Sequence, residues 1–398
     1  MDLERTAEAL ASYDRAIALK ADYADAHNNR GTVLNELKRS EEALASYNKA
    51  ISLQPNNAQA HNNRGSALRD LNRLKEALAS HDRAIALKPD FADAHYNRGL
   101  ILWDQNRFAE ALASMDRTLA LEPKHFHALA HGALLACMTC NWTAVERVKA
   151  DFLAQCQVPE FNGAPFPLLV LCDDPAAQRA AAQAYITNRC PQASARRVTP
   201  RFGKRNKLRL GYLSADFREH PIAFLIAELI ELHDRSRFDV YAFSATASDS
   251  GRMRKRLEST FDVFVDVGTM SDGQLDRAIR QSEIDILVDL GRHTTASRIH
   301  SLALRPAPLQ VTYLGYPGTS GAPFIDYSIV DAFVVPPQEA VHFSEKLAYL
   351  PECFQVNDRK RGMAERTPTP AECGLPDSAF VFCAFNSAYK INAAVFDT

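Results

Sequence analysis

The phrase Glu8-Ala9-Leu10-Ala11-Ser12-Tyr13 returns as Glu42-Ala43-Leu44-Ala45-Ser46-Tyr47, and from Glu76 and Glu110 with only its last residue changed. The interval is 34 residues each time. A period of this size commits the chain to stacked helix pairs, since one pair cannot bury its own apolar face and needs the next to cover it. In the unit that begins near Ala24, Gly31, Ala43 and Ala50 are small where the helices cross, and Tyr47 fills the space between them. Pro55 stops the second helix, and Pro89 and Pro123 repeat the stop. The helical period accounts for all of these residues as packing.

This is the period of the tetratricopeptide repeat, an α-solenoid with a concave surface of peptide size. Asn29, Asn63 and Asn97 recur on the first, inward helix of each unit. A carboxamide carries donors and an acceptor, so a column of them can pair with an extended polypeptide backbone whatever its side chains. They are therefore candidate residues for binding a protein or peptide partner; the plainer alternative is asparagine tolerated on a solvated helix face. His27, His61 and His95 also recur, but successive helix pairs displace them by roughly 10 Å, too far to share a metal ion. The array is expected over residues 1–135. It begins mid-unit, with residues 5–19 as a second helix whose first is missing and whose apolar face is uncovered. After Pro123 the unit degenerates, as a capping or transition unit does.

At 398 residues the chain has material for two or three domains. A formal net charge of -2 gives no reason to expect nucleic acid or a membrane as partner. No apolar run reaches the roughly 18 residues of a spanning helix, and the charged N-terminus is unlike a signal peptide. The eight cysteines are scattered, as in a reduced cytoplasmic protein. Cys137 and Cys140 form a single CxxC without a second, which reads as helix-core thiols and not as a zinc site. Residues 136–205 read as a helical connection ending in a basic linker from Arg196 to Lys207, solvated in preference to nucleic-acid-binding.

From Leu208 the periodicity changes. Strand-length apolar runs occur at 208–213, 238–243, 261–267, 284–290 and 309–314, with helix-like stretches at 221–232, 253–259, 272–281 and 296–304. Such alternation predicts a parallel sheet covered on both faces, a Rossmann-like lobe over residues 206–360. Sheets of this kind bind ligands at the carboxyl ends of their strands. Three polar loops fall there: Ser214 to His220, Gly291-Arg292-His293-Thr294-Thr295, and Gly315-Tyr316-Pro317-Gly318-Thr319-Ser320-Gly321. His220, just before an N1 proline at Pro221, suits a general base, a ligand donor or a cap for its own helix.

Residues 361–398 read as a linker followed by a strand at Phe380–Phe385, with a helix beginning near Asn392. Lys390 in that turn suits a phosphate, although alone it reads as an ordinary loop lysine. One strand and a piece of helix cannot bury themselves, so a second lobe is expected to be only begun here. The uncovered N-terminal face and this unpaired strand predict poor solubility.

The repeats, Leu208-Arg-Leu-Gly-Tyr-Leu-Ser-Ala-Asp-Phe with His220-Pro221, the run from Leu302 to Gln310, Leu314-Gly-Tyr-Pro-Gly-Thr-Ser-Gly and Phe385-Asn-Ser-Ala-Tyr-Lys-Ile together resemble one family. It is that of the O-linked N-acetylglucosaminyltransferases, including SPINDLY proteins and bacterial homologues. The resemblance implies a two-lobed GT-B glycosyltransferase that moves N-acetylglucosamine from UDP-GlcNAc to protein Ser or Thr with inversion, without a metal cofactor. It implies that His220 lies beside sugar and acceptor, that Lys390 contacts the diphosphate, and that His293, Tyr316, Pro317, Gly318 and Thr319 line the donor cleft. Ser387 and Arg292 depart from the family pattern, Arg292 by threatening to narrow the cleft. Two alternatives remain open. One is a non-catalytic peptide-binding adaptor with a vestigial lobe; the other is a SPINDLY-like enzyme using GDP-fucose.

Overall fold

The computed structural model describes residues 3–156, 158, 161, 163–191, 203, 205–246, 250–362, 366–376, 380–381, 387–391 and 393. They divide into two compact units, Met1–Gln155 with Ser387–Thr398, and Cys156–Asn386.

The first unit is the repeat array. Helices α1 (Leu3–Leu19), α2 (Ala24–Glu36), α3 (Ser40–Leu53), α4 (Ala58–Asp70), α5 (Leu74–Leu87), α6 (Ala92–Asp104), α7 (Phe108–Leu121), α8 (Phe126–Met138) and α9 (Trp142–Cys156) follow one another. First helices start at residues 24, 58, 92 and 126, and second helices at 40, 74, 108 and 142, so the 34-residue register continues through α9. The boundary expected at 135 thus falls inside α8 and moves to about 155. The Asn-Arg-Gly signature is lost after Pro123, but the helix period is kept, and the period is what stacks.

The crossing of each pair rests on glycine. A Cβ on Gly31 would come within 2.6 Å of the Tyr47 ring, and one on Gly65 within 2.5 Å of the His81 ring. The turn between paired helices also repeats: Lys38, Asn72, Asn106 and Cys140 all have positive φ, at 61°, 58°, 60° and 49°. Tyr47 is buried, whereas Tyr13 on α1 is only half-buried and Leu19 is 90% exposed.

The second unit adds α10 (Leu168–Leu171) and α11 (Pro175–Arg189), then β1 (Leu208–Ser214), α12 (Pro221–Glu231), β2 (Phe238–Ser244), α13 (Arg252–Thr260), β3 (Val263–Asp266), α14 (Asp272–Gln281), β4 (Ile286–Asp289), β5 (Leu309–Thr312), β6 (Tyr327–Asp331) and β7 (Lys346–Leu350). All strands are parallel, in the order β3-β2-β1-β4-β5-β6-β7. Strand alternation feeds two cores. Tyr212, Ala242 and Val288 pack with α12 and α13, while Leu213, Phe243 and Leu287 pack with α14 and with Ile186 of α11. α11 therefore belongs to this unit and is not a connection, which corrects the expected 136–205 segment.

Three further expectations change. β6 and β7 went unrecognised because short strands holding Ser328, Asp331 and Lys346 lack an apolar run. The helix expected at 296–304 is a 3-10 turn at Ile299–Leu304. Phe380 and Val381 are in no strand, and residues 382–386 lie outside the described residues. The 3-10 turn Ala388–Lys390 instead packs on α8, within the first unit.

Candidate functional site

The order β3-β2-β1-β4-β5 places the topological switch between β1 and β4, where open α/β sheets take ligands at their carboxyl edge. The loop after β1 supplies Asp216 and His220. His220 is the N-cap of α12: its Nδ1 accepts from the Ile222 amide at 3.2 Å. An amide can only donate, so the Nδ1 lone pair is committed and the neutral ring carries its proton on Nε2. That Nε2 lies 3.6 Å from Asp216 Oδ1. Burial lowers the His220 pKa and raises that of Asp216, while their mutual attraction opposes both shifts. His220 is thus both cap and presented donor, and Asp216, 6% exposed, is the adjacent group with lone pairs. Asp216 lies in the polar loop marked by the sequence, but its spacing of four from His220 does not by itself show that the loop folds the two side chains together.

The loops after β4 and β5 are knitted together. Asp289 accepts from the Gly291 and Arg292 amides at 3.2 and 2.7 Å. Arg292, with φ 51°, is buried and turned inward, donating to Gly318 O and, at 2.5 Å, to Ser328 Oγ. It closes the protein interior and does not project from the loop. His293 donates from Nε2 to Ser320 O at 2.8 Å and packs edge-on to Tyr316 and Tyr185. Burial lowers its pKa to about 4, so the ring is neutral. Thr319 donates to Glu345 Oε2 at 2.6 Å, and the Ser320 amide donates to Glu345 Oε1 at 2.7 Å. Of the residues expected at the donor cleft, His293, Tyr316, Gly318 and Thr319 come together as buried architecture, and Pro317 is exposed. The run from Leu302 to Gln310 is structural too: Arg305 grips Asp326 and the Phe324 and Pro308 carbonyls, and Gln310 donates to Leu302 O and Phe324 O. Nothing in the sequence pattern pointed to Glu345.

Lys390 is exposed and groups with the repeats, not with these loops. In the array, part of the asparagine column is spent internally. Asn63 Nδ2 donates to Asn28 Oδ1 and Asn97 Nδ2 to Asn62 Oδ1, both at 3.1 Å, each binding one repeat to the last. At the next step His131 takes the column position and pairs its Nδ1 with the Tyr96 hydroxyl at 3.2 Å. Asn29 is exposed. His27, His61 and His95 each donate from Nε2 to a carbonyl six residues back, closing the turn into the helix. Cys137 is buried, with its thiol pushed up to about 11, and pairs with no other cysteine. Asp93, Glu122 and His125 bring potential metal-ligand atoms within 4.8 Å, but His125 Nδ1 already caps α8. The basic linker is partly neutralised: Arg205 pairs with Glu283 and Asp285, and Lys207 with Asp239. No helix among the described residues is long and apolar enough to cross a membrane.

Comparison with known proteins agrees with this architecture. Residues 183–368 match glycosyl transferase family 41, and residues 1–38, 31–68, 65–106 and 92–125 match tetratricopeptide repeats. The chain is 32% identical over 203 residues to the probable UDP-N-acetylglucosamine–peptide N-acetylglucosaminyltransferase SEC of Arabidopsis thaliana, covering 50% of this chain and 21% of that protein. It is 34% identical over 170 residues to the UDP-N-acetylglucosamine–peptide N-acetylglucosaminyltransferase of Caenorhabditis elegans, covering 42% and 15%. The chain therefore spans about a fifth or less of these curated relatives. In fold it is similar to an O-GlcNAc transferase mutant from Thermobaculum terrenum, with a TM-score of 0.62 and 24% identity over 94% of this chain and 65% of that one. With its repeats followed by a family 41 glycosyltransferase segment, the chain is O-GlcNAc transferase-like in sequence and in fold.

Proposed function

We propose that the second unit forms part of a protein O-GlcNAc transferase. It binds UDP-N-acetylglucosamine at the carboxyl edge of β1 and β4, while the repeats hold the acceptor polypeptide. The observation that carries this reading is the Asp216–His220 pair at the switch point, in a family 41 segment. The acceptor Ser or Thr oxygen attacks the anomeric carbon from the face opposite the diphosphate, the bond to the diphosphate breaks, and configuration inverts. His220 Nε2 donates to sugar or acceptor, because its Nδ1 is held by the Ile222 amide. Asp216 receives or relays the hydroxyl proton. The leaving diphosphate needs hydrogen-bond donors or positive charge, which backbone amides at the strand ends supply in this reading without a metal. Losing one such group typically costs about 3 kcal/mol of barrier. The cytoplasm is the proposed compartment.

Two observations favour a second reading, a peptide-binding adaptor. Most of the expected donor-loop side chains are buried, and Lys390 groups with the repeats. Calorimetric titration of the chain with UDP-N-acetylglucosamine, UDP and GDP separates the readings. Binding of the uridine compounds that weakens in His220→Ala is expected. Preference for GDP shifts the assignment to the SPINDLY-like fucosyltransferase. Capture of polypeptide without nucleotide binding makes the chain an adaptor.

A further inference from the structure

Glu345 stands one residue before β7 with 5% exposure, far from any sequence signal for function. Its Oε1 accepts from the Ser320 amide at 2.7 Å, and its Oε2 from Thr319 Oγ1 at 2.6 Å and Ser344 Oγ at 3.0 Å. Burial alone pushes its pKa up, but the Arg292 guanidinium and these donors outweigh burial and hold it below the usual carboxylate range. Glu345 and Arg292 thus hold the same loop with opposite charges, Glu345 through Thr319 and Ser320 and Arg292 through Gly318 O.

The loop they hold does not rest in a relaxed conformation. Leu314 has φ 72°, and the Gly315 amide bonds to Tyr313 O at 2.9 Å, a γ-turn of the strained hand at a bulky residue. A Cβ on Gly315 would sit 2.0 Å from Leu290 O, and at Gly321, φ +67°, 2.4 Å from the Ala182 backbone. Such a conformation persists only where its surroundings over-determine it. The buried carboxylate and guanidinium provide that constraint at the middle of the loop.

We propose that Glu345 is a positioning residue for the donor site. Acting through Thr319 and Ser320, it fixes residues 315–321 so that Pro317 and the neighbouring backbone are presented at the carboxyl edge, with no ligand contact of its own. The inference rests on the donor reading above.

The test combines amide exchange, thermal unfolding and UDP titration on the whole chain, for wild type, Glu345→Gln, Glu345→Asp and Ser344→Ala. Glu345→Gln keeps the size but removes the charge facing Arg292. It is expected to speed exchange about tenfold within residues 313–321, more than elsewhere in the sheet, and to weaken UDP binding by about tenfold. Glu345→Asp keeps the charge and should fall between wild type and Glu345→Gln. Ser344→Ala, which removes one donor, should weaken UDP binding about threefold. A uniform rise in exchange across the unit makes Glu345 an ordinary stabilising ion and overturns the proposal. So does UDP affinity that ignores Glu345 in a wild type that binds UDP; that result leaves the donor reading intact. If the wild type binds no UDP, the donor reading itself fails and this proposal falls with it.

Discussion

Arg39, Arg73 and Arg107 each reach three residues along an exposed helix to Glu42, Glu76 and Glu110, an arrangement repeated every 34 residues. Arg254, Arg292 and Arg305 of the α/β unit are at most 8% exposed, and each bonds two or more groups from separate elements. These three arginines of the repeats thus make local contacts that are cheap to lose. The α/β unit builds its strand-end loops with buried charge that cannot be removed without stranding a partner. That contrast bears on function: rigid loops at a sheet edge suit a small ligand, and a regular column suits an extended chain.

The contrast breaks most easily at Arg292. Arg292→Ala strands buried Gly318 O and Ser328 Oγ and removes the positive charge that offsets the burial of Asp289 and Glu345, and should cost the α/β unit about 3 kcal/mol in urea unfolding. Arg73→Ala should leave the array's transition where it is. Comparable small effects of both would abolish the distinction.

Acid sharpens it next. Burial lowers the pKa of His81, at the tyrosine position of its repeat, to about 4. Folded His81 binds its proton less readily than the unfolded chain does. Its contribution is therefore whole above the ordinary histidine pKa of about 6.5 and is lost as pH falls toward 4, a change of about 3 kcal/mol. His131, also lowered to about 4 by burial, adds in the same direction. His81→Tyr, which copies the Tyr47 and Gly31 pairing, should flatten the array's stability between those pH values. An unchanged acid slope would show that His81 titrates normally.

Glycine comes third. Gly65→Ala drives a methyl into the His81 ring and should cost about 1–3 kcal/mol. At the equivalent Gly99 the nearest atom is the end of the flexible Met115 side chain, at 2.7 Å, so Gly99→Ala should cost less than half as much by thermal unfolding. The smallest effect is a gain. Lys38→Asn places at φ 61° the residue already found at positions 72 and 106, and should add about 0.5 kcal/mol.

The two regions also differ in how openly the sequence announces them. Repetition made the array legible down to the proline stops, and the register runs on through α9 even where Asn-Arg-Gly disappears. In the α/β unit the apolar runs gave five of the strands, but β6 and β7, interrupted by Ser328 and Asp331 or opened by Lys346, gave no such signal. In the loops, position relative to strand ends anticipated that His220, His293 and residues 315–321 follow β1, β4 and β5. It could not find that Glu345, 25 residues beyond Ser320, would hold that loop, since a long-range pairing leaves no local pattern. Nor did it show that Asn63 and Asn97 spend a donor on the preceding repeat, because spacing fixes a residue's face and not its partner.

The most direct test of the central claim is to titrate UDP into the isotopically labelled chain and follow its backbone amides by NMR. The account predicts shifts clustered at residues 214–222 and 290–295 and at Pro317's neighbours, with the repeat helices silent. No shifts, or shifts confined to α2, α4 and α6, would contradict a donor site at the carboxyl edge of β1 and β4.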